Sequence, residues 1–388
     1  MCIRDSLGAM LSLNNRLLDD IRGSLDALAQ EVMDVINRLH VQGVGVNGSF
    51  TEVTGVPVTS TTLENWSNQV TSGSFFVRVV DTATGGVTRQ EITVDPTVDT
   101  ITDIRDRLDA VDGLSASIVD QSLRIQADAG HTFDFLPAVP SQPHTSNITG
   151  DAEVTVSGIY EGQTNQTFTC TISGTGQVGI AGDLSVEVRN GAGELMSTVN
   201  VGSGYAAGDP LEIGGGISIA IGTGQLNDSD DFTIQLFADT DTSGFLSAAG
   251  INTLFAGSSA ADIAVRSNIL NNPWRFAGAV DPNGTDGVNV QRMIDASLQA
   301  RSALDNVSLR DYSARLVSSV GQAVQVRRAR KDSLQNVVRQ LDSQRDSISG
   351  VDLNEETARL VMYERMFQAM SVAIRTQDKA LQYLLEAI

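Results

Sequence analysis

Few residues in this chain have the types and spacing that chemistry requires. Gly174-Thr175-Gly176-Gln177-Val178-Gly179 spells the glycine pattern that lets helix N-terminal amides hold a pyrophosphate, which needs a strand before it and a helix after it. Here the run from Asp183 to Val188 reads as a second strand, so a turn cluster is expected rather than a nucleotide site. Asp239-Thr240-Asp241-Thr242-Ser243-Gly244 has the first half of a calcium loop, but the twelfth position, which should supply a bidentate Glu, is Gly250. It reads as a polar turn, with Asp228, Asp230 and Asp231 nearby as no more than a weak cation surface. His40, His131 and His144 lack metal-binding spacing and are expected at the surface or at helix ends. Glu355 and Glu356 stand beside Asp352 and Asn354 where a helix begins, and acidic groups there complement the helix dipole. Cys2 and Cys170 make neither a disulfide framework nor a thiolate site. No catalytic, cofactor-binding or metal-binding residue is assigned, and the chain is not read as an enzyme.

The strongest patterning lies instead in the elements that would have to position such residues. Leu360, Tyr363, Phe367, Met370, Ile374, Leu381, Leu384 and Ile388 recur at steps of three and four, interrupted only by Gln377. That is the seam of a helix packed lengthwise on another helix, and here it is expected to pack on other copies of the chain. Leu18, Ile21, Leu25, Leu28, Val32, Val35 and Leu39 repeat the pattern near the start, with Leu11 one heptad earlier. A third stripe runs through Leu316, Val320, Ala323, Leu334, Val337, Leu341 and Ile348. The basic residues Arg327, Arg328, Arg330 and Lys331 interrupt it, as a solvated face or as ion-pair partners between subunits. Long helices from both ends are therefore expected to pair, with everything between them looped out.

Between these helices the composition changes. The formal net charge is -21, and from Gly48 to Gly284 there are about 28 acidic residues against about 8 Arg and no Lys. Such a surface disfavours nucleic acid and anionic membrane. No apolar run approaches the length of a membrane span. Strand-like runs at Gly73–Val80 and Val87–Val94 flank a helix at Thr100–Val111 with Thr100 as its cap. A hairpin follows, Leu114–Val119 and Leu123–Ala127, turned at Asp120-Gln121-Ser122, giving a β-β-α-β-β unit. After Pro137, Pro140 and Pro143, residues to Phe237 read as a small sandwich or barrel.

The terminal segment from Ser349 to Leu385 resembles the C-terminal helix of bacterial flagellar axial proteins: the rod, hook and hook-associated family. Tyr363, Phe367, Ala369, Ile374, Thr376, Asp378, Leu384 and Leu385 fall on its pattern. The stretch Leu17–Gly48, which ends in a Gln42-Gly43 to Asn47-Gly48 turn, and the stretch Phe255–Val265 are similar to segments of hook-associated members. The resemblance implies a multidomain α and β fold, a long-helix coiled-coil bundle with inserted β-rich outer domains. The expected divisions are a non-native-looking stub at 1–6, a rod helix at 7–48, outer regions at 49–145 and 146–245, a return at 246–287, a helical rod domain at 288–348 and a tube-core helix at 349–388.

It also implies an extracellular structural subunit joining hook to filament, exported by the flagellar type III secretion route. The partners implied are copies of itself in a ring or tube, the hook protein, the next hook-associated protein or filament, and a flagellar export chaperone. The stub Met1–Ser6 stands where intact members carry a further terminal helix, so an N-terminally truncated chain is expected. A hook or distal-rod subunit would share only the terminal helix. A surface adhesin or glycan-binding module on a coiled-coil stalk would need exposed aromatics among Tyr160, Phe168, Tyr205, Phe232 and Phe237.

Overall fold

The computed structural model describes residues 18–66, 69–137, 142–349 and 352–386. The chain is mixed α and β and divides into two compact units, one up to Leu316 and one from Val317. The first unit opens with helix α1 (Asp19–Val41). Strand β1 (Glu52–Thr54) follows, then β2 (Gly73–Asp81), β3 (Val87–Val94), helix α2 (Ile101–Asp109), β4 (Leu114–Val119), β5 (Ser122–Ala127) and β6 (His131–Asp134). These make two antiparallel sheets, ordered β1-β5-β4 and β3-β2-β6. The β-β-α-β-β order is present, with one further strand on each side.

Local rules explain these elements. Thr100 accepts from the Asp103 amide, and the Asp103 carboxylate accepts from the Thr100 amide, forming a capping box at the start of α2. Asp120 and Gln121 both take positive φ, as a two-residue hairpin between β4 and β5 demands. Alternation along β2 sends Phe75, Val77 and Val79 inward, where they share a core with Ile101, Ile104 and Leu108 of α2.

The second body is inserted into the first. Strands β7 (His144–Asn147), β8 (Val154–Gly158), β9 (Gln166–Ser173), β10 (Gly176–Gln177), β11 (Ser185–Arg189) and β12 (Leu195–Asn200) lead on to β13 (Leu211–Gly214), β14 (Ile217–Ile221), β15 (Gln225–Leu226) and β16 (Asp231–Leu236). A five-stranded sheet, β12-β11-β9-β16-β7, and a three-stranded sheet, β13-β14-β8, contribute inward rows to one separate core. The chain then returns through the short helix α3 (Phe245–Ala248), the pair β17 (Phe255–Ala256) and β18 (Ala264–Val265), and the short helix α4 (Ser267–Leu270). Phe245, Leu246, Ala249 and Ile251 of this return re-enter the first core, where the Phe245 ring stacks on Phe75 at 5.6 Å and on Trp66 at 5.9 Å.

Helix α5 (Val288–Leu298) packs on α1. Helix α6 (Leu309–Ser349) begins in the first unit and runs on into the second, which also holds α7 (Leu353–Glu386).

Candidate assembly surfaces

Helix α7 starts at a cap: the Asp352 carboxylate accepts from the Asn354 amide at 2.8 Å. Asp352 therefore takes the capping role. Glu355 and Glu356 occupy the first turn, and Arg359 reaches back to Glu355 at 2.8 Å, so the carboxylate pair serves the helix start. The apolar stripe beyond it is bare. Leu360, Tyr363, Phe367, Met370, Ile374, Leu381 and Leu384 are between 57% and 76% exposed. Ile388 lies outside the described residues. Met362, Met366, Tyr383 and Leu385 are exposed as well, so the apolar surface is wider than the seam read from spacing.

Along α6, Leu316 and Val320 are half-buried, whereas Leu334, Val337 and Leu341 are exposed and Ile348 reaches 86%. Arg327, Arg328, Arg330 and Lys331 are exposed, with no carboxylate at salt-bridge distance among the described residues. Monomeric proteins seldom leave apolar rows of this size to water; such rows mark contact surfaces.

Helix α1 behaves differently from its spacing. Leu18 and Leu25 are exposed, Ile21, Leu28 and Val32 are half-buried, and Val35 is buried; Leu11 lies outside the described residues. The face turned inward carries Ala29, Met33, Asn37 and His40, about one residue round from the predicted stripe. The reason is polar. Asn37 Oδ1 accepts from the amides of Leu254 and Phe255, while its Nδ2 donates to the Phe255 carbonyl. Asn252 Nδ2 donates to the carbonyls of His40 and Gly43, and Asn289 Nδ2 donates to those of Leu39 and Ala277. Asn252 and Asn289 thus supply side-chain donors to the Leu39 and His40 carbonyls at the end of α1. Nothing in the spacing announced this network, although two amides and an imidazole among apolar positions were its visible trace.

His40 stands at a helix end, one of the two places expected of it, and is fully buried there. Its Nε2 accepts from the Ala277 amide, so its Nδ1 must carry the proton and donate to the Asn252 carbonyl at 2.6 Å. Burial pushes its pKa down to about 4. The polar turn Asp239–Gly244 is buried at Thr240, Asp241 and Ser243. The Asp241 carboxyl accepts from Ser243 Oγ and from the Leu246 amide, and burial pushes its pKa up to about 6. Asp239 accepts from Gln42 of the α1 end at 2.7 Å.

The remaining motifs are structural. Gly174, Gly176 and Gly179 have positive φ and join β9 through β10 towards β11, with no helix following them. Asp228, Asp230 and Asp231 accept from the Gly174 amide, from Thr149 and from Asn147 respectively. Tyr160, Phe168, Tyr205, Phe232 and Phe237 are all buried, which removes the mark a glycan-binding module would carry. Burial raises the Cys170 thiol to about 12. Among the described residues no three His, Cys, Asp or Glu side chains group as metal ligands, and no helix is long and apolar enough to cross a membrane.

Strand-rich bodies joined to helices with bare apolar rows are the features that comparison with known proteins must account for. Residues 343–387 match the family model described as flagellar basal body rod FlgEFG protein C-terminal. The flagellar hook-associated protein 1 of Salmonella typhimurium is 30% identical over 177 residues, which cover 45% of this chain and 29% of that protein. That of Escherichia coli K12 is 26% identical over 137 residues, 34% of this chain and 25% of that protein. The match thus spans under a third of the length of these relatives. The flagellar junction protein FlgL from Legionella pneumophila aligns over 87% of this chain and 97% of its own at 15% identity, with a TM-score of 0.22 too low to carry an argument. Over the matched segments the chain is similar to flagellar hook-associated proteins.

Proposed function

We propose that this chain is a non-catalytic structural subunit of the bacterial flagellum, joining hook to filament through helical packing of its copies. The observation that carries this reading is the bare stripe of α7, which falls within the segment matched by the rod-protein family model. In this reading Leu360, Tyr363, Phe367, Met370, Ile374, Leu381, Leu384 and Ile388 pack on neighbouring copies. Leu18, Ile21, Leu25, Leu28 and Val32 of α1, with Leu316, Val320, Leu334, Val337 and Leu341 of α6, form a coiled-coil layer outside them. Residues 49–245 project outward as the acidic exterior. The driving force is burial of apolar surface, roughly 1.5–3 kcal/mol for each large side chain that becomes fully covered. The partners are copies of the chain, the hook protein, the next hook-associated protein or filament, and an export chaperone. The location is the extracellular hook–filament junction, reached by flagellar type III secretion.

A hook or distal-rod reading is supported by the family model alone, whereas the longer matches are to hook-associated proteins. Immunogold labelling of the native bacterium, with antibody raised against residues 144–236, tests the proposal. A single band where hook meets filament is expected. Label along the hook, along the filament, or absent from the flagellum would each overturn it.

A further inference from the structure

A strand edge and two uncompensated guanidinium groups meet in one cleft of about 630 Å³. Strand β1 lies at the edge of its sheet and pairs only with β5. The Thr51 carbonyl accepts from Ala127 and the Gly55 amide donates to Leu123, so odd-numbered residues face β5. By the antiparallel alternation, the amides and carbonyls of Glu52 and Thr54 point away from it. None of these four groups has a hydrogen-bond partner among the described residues, and both residues line the cleft.

The charge lining the same cleft is unlike that of the rest of the exterior. Between Gly48 and Gly284, Arg78, Arg105, Arg107, Arg124 and Arg189 each have a carboxylate within salt-bridge distance. Arg266 and Arg275, which line the cleft, do not. Arg266 donates only to neutral oxygens, those of Gly250, Thr253 and Gly55. Arg275 is exposed. The Glu52 carboxylate is already held by Arg124 at 2.6 Å. Asn268 adds a buried Oδ1 with no donor in reach, and Trp274 a half-exposed apolar wall.

We propose that this cleft binds an extended acidic segment of a partner protein as an added strand on β1. The backbone of such a segment would pair with Glu52 and Thr54, and its carboxylates would meet Arg266 and Arg275. A phosphate or other polyanion would satisfy the guanidinium groups but would leave the two outward carbonyls without donors. A folded acidic face would leave the whole edge unpaired. Only an extended peptide supplies alternating donors and acceptors at the strand's rise of about 3.3 Å per residue.

Fluorescence anisotropy on the full chain tests this with two labelled probes, TEVETEVT and its basic counterpart TKVKTKVT. The acidic probe should bind about tenfold or more tightly than the basic one. Arg275→Glu, at an exposed position, should erase that preference. Thr54→Pro removes one outward amide without touching the bonds to β5 and should weaken binding, with an unchanged near-ultraviolet circular dichroism spectrum confirming the fold. An acidic probe N-methylated at alternate residues needs no variant and should not bind. Equal binding of both probes, indifference to Arg275→Glu, or full binding of the N-methylated probe would overturn the proposal. So would self-association of the chain that Arg275→Glu abolishes, because it would put a second copy in the cleft.

Discussion

At the scale of single residues, two buried titrations act in opposite directions. His40 has a folded pKa of about 4, below its ordinary value of 6.5, so the unfolded chain binds its proton first as pH falls. Its contribution is fully present above 6.5 and is lost between 6.5 and about 4, a drop of about 3 kcal/mol. Asp241, raised to about 6, does the reverse: the folded chain binds its proton first, and stability is lost as pH rises from 3.8 through 6. Where the windows overlap, the two slopes cancel. Asp241→Asn mimics the protonated acid, because its amide still accepts from Leu246 and donates to Ser243. Chemical denaturation of that variant should therefore expose the His40 slope, with stability falling from pH 6.5 to 4 while the parent changes little. A parallel fall in both proteins would contradict the assignment. His40 was legible as a helix-end residue and no further. Its burial depends on Asn252 and Ala277, both more than 200 positions away, which no local pattern connects to it.

Secondary elements were legible where their causes are local. The capping box at Thr100 and the turn at Asp120-Gln121 follow from side chains within three positions, and the structure forms both. In α1 the face buried within the chain lies about one residue round from the stripe, because amide partners on distant segments set it. Helix α7 is the opposite case, since its residues state the pattern clearly while none of the described residues covers it. A helix without tertiary cover is marginal in water. Amide exchange in the monomer should accordingly be fast across residues 353–386 and slow across β2 and α2; strong protection of α7 at high dilution would argue that it is covered within one chain. The same logic separates two phenylalanines in urea unfolding. Phe75→Ala, in a fully buried position, should cost about 3–5 kcal/mol, and Phe367→Ala less than about 0.5.

For the whole molecule, self-association sets apolar burial against charge. Copies carrying a net charge of -21 repel one another, and that repulsion is screened as salt rises. The bare rows on α6 and α7 gain from burial at any salt concentration. If those rows drive assembly, sedimentation velocity should show larger species as ionic strength rises from about 0.05 M to about 0.5 M. Phe367→Asp should abolish them, because it places an unpaired carboxylate in the seam. The basic run Arg327, Arg328, Arg330 and Lys331 supplies the competing mechanism. If ion pairs between those residues and a neighbour's acidic surface held copies together, association would weaken over the same salt range and would survive Phe367→Asp. The sign of the salt dependence therefore identifies the interaction that closes the assembly. That choice could not be read from the sequence, where an apolar seam and a basic run share one helix at compatible spacing. Nor is the answer among the described residues, which leave the seam exposed and place no carboxylate at salt-bridge distance from the basic run.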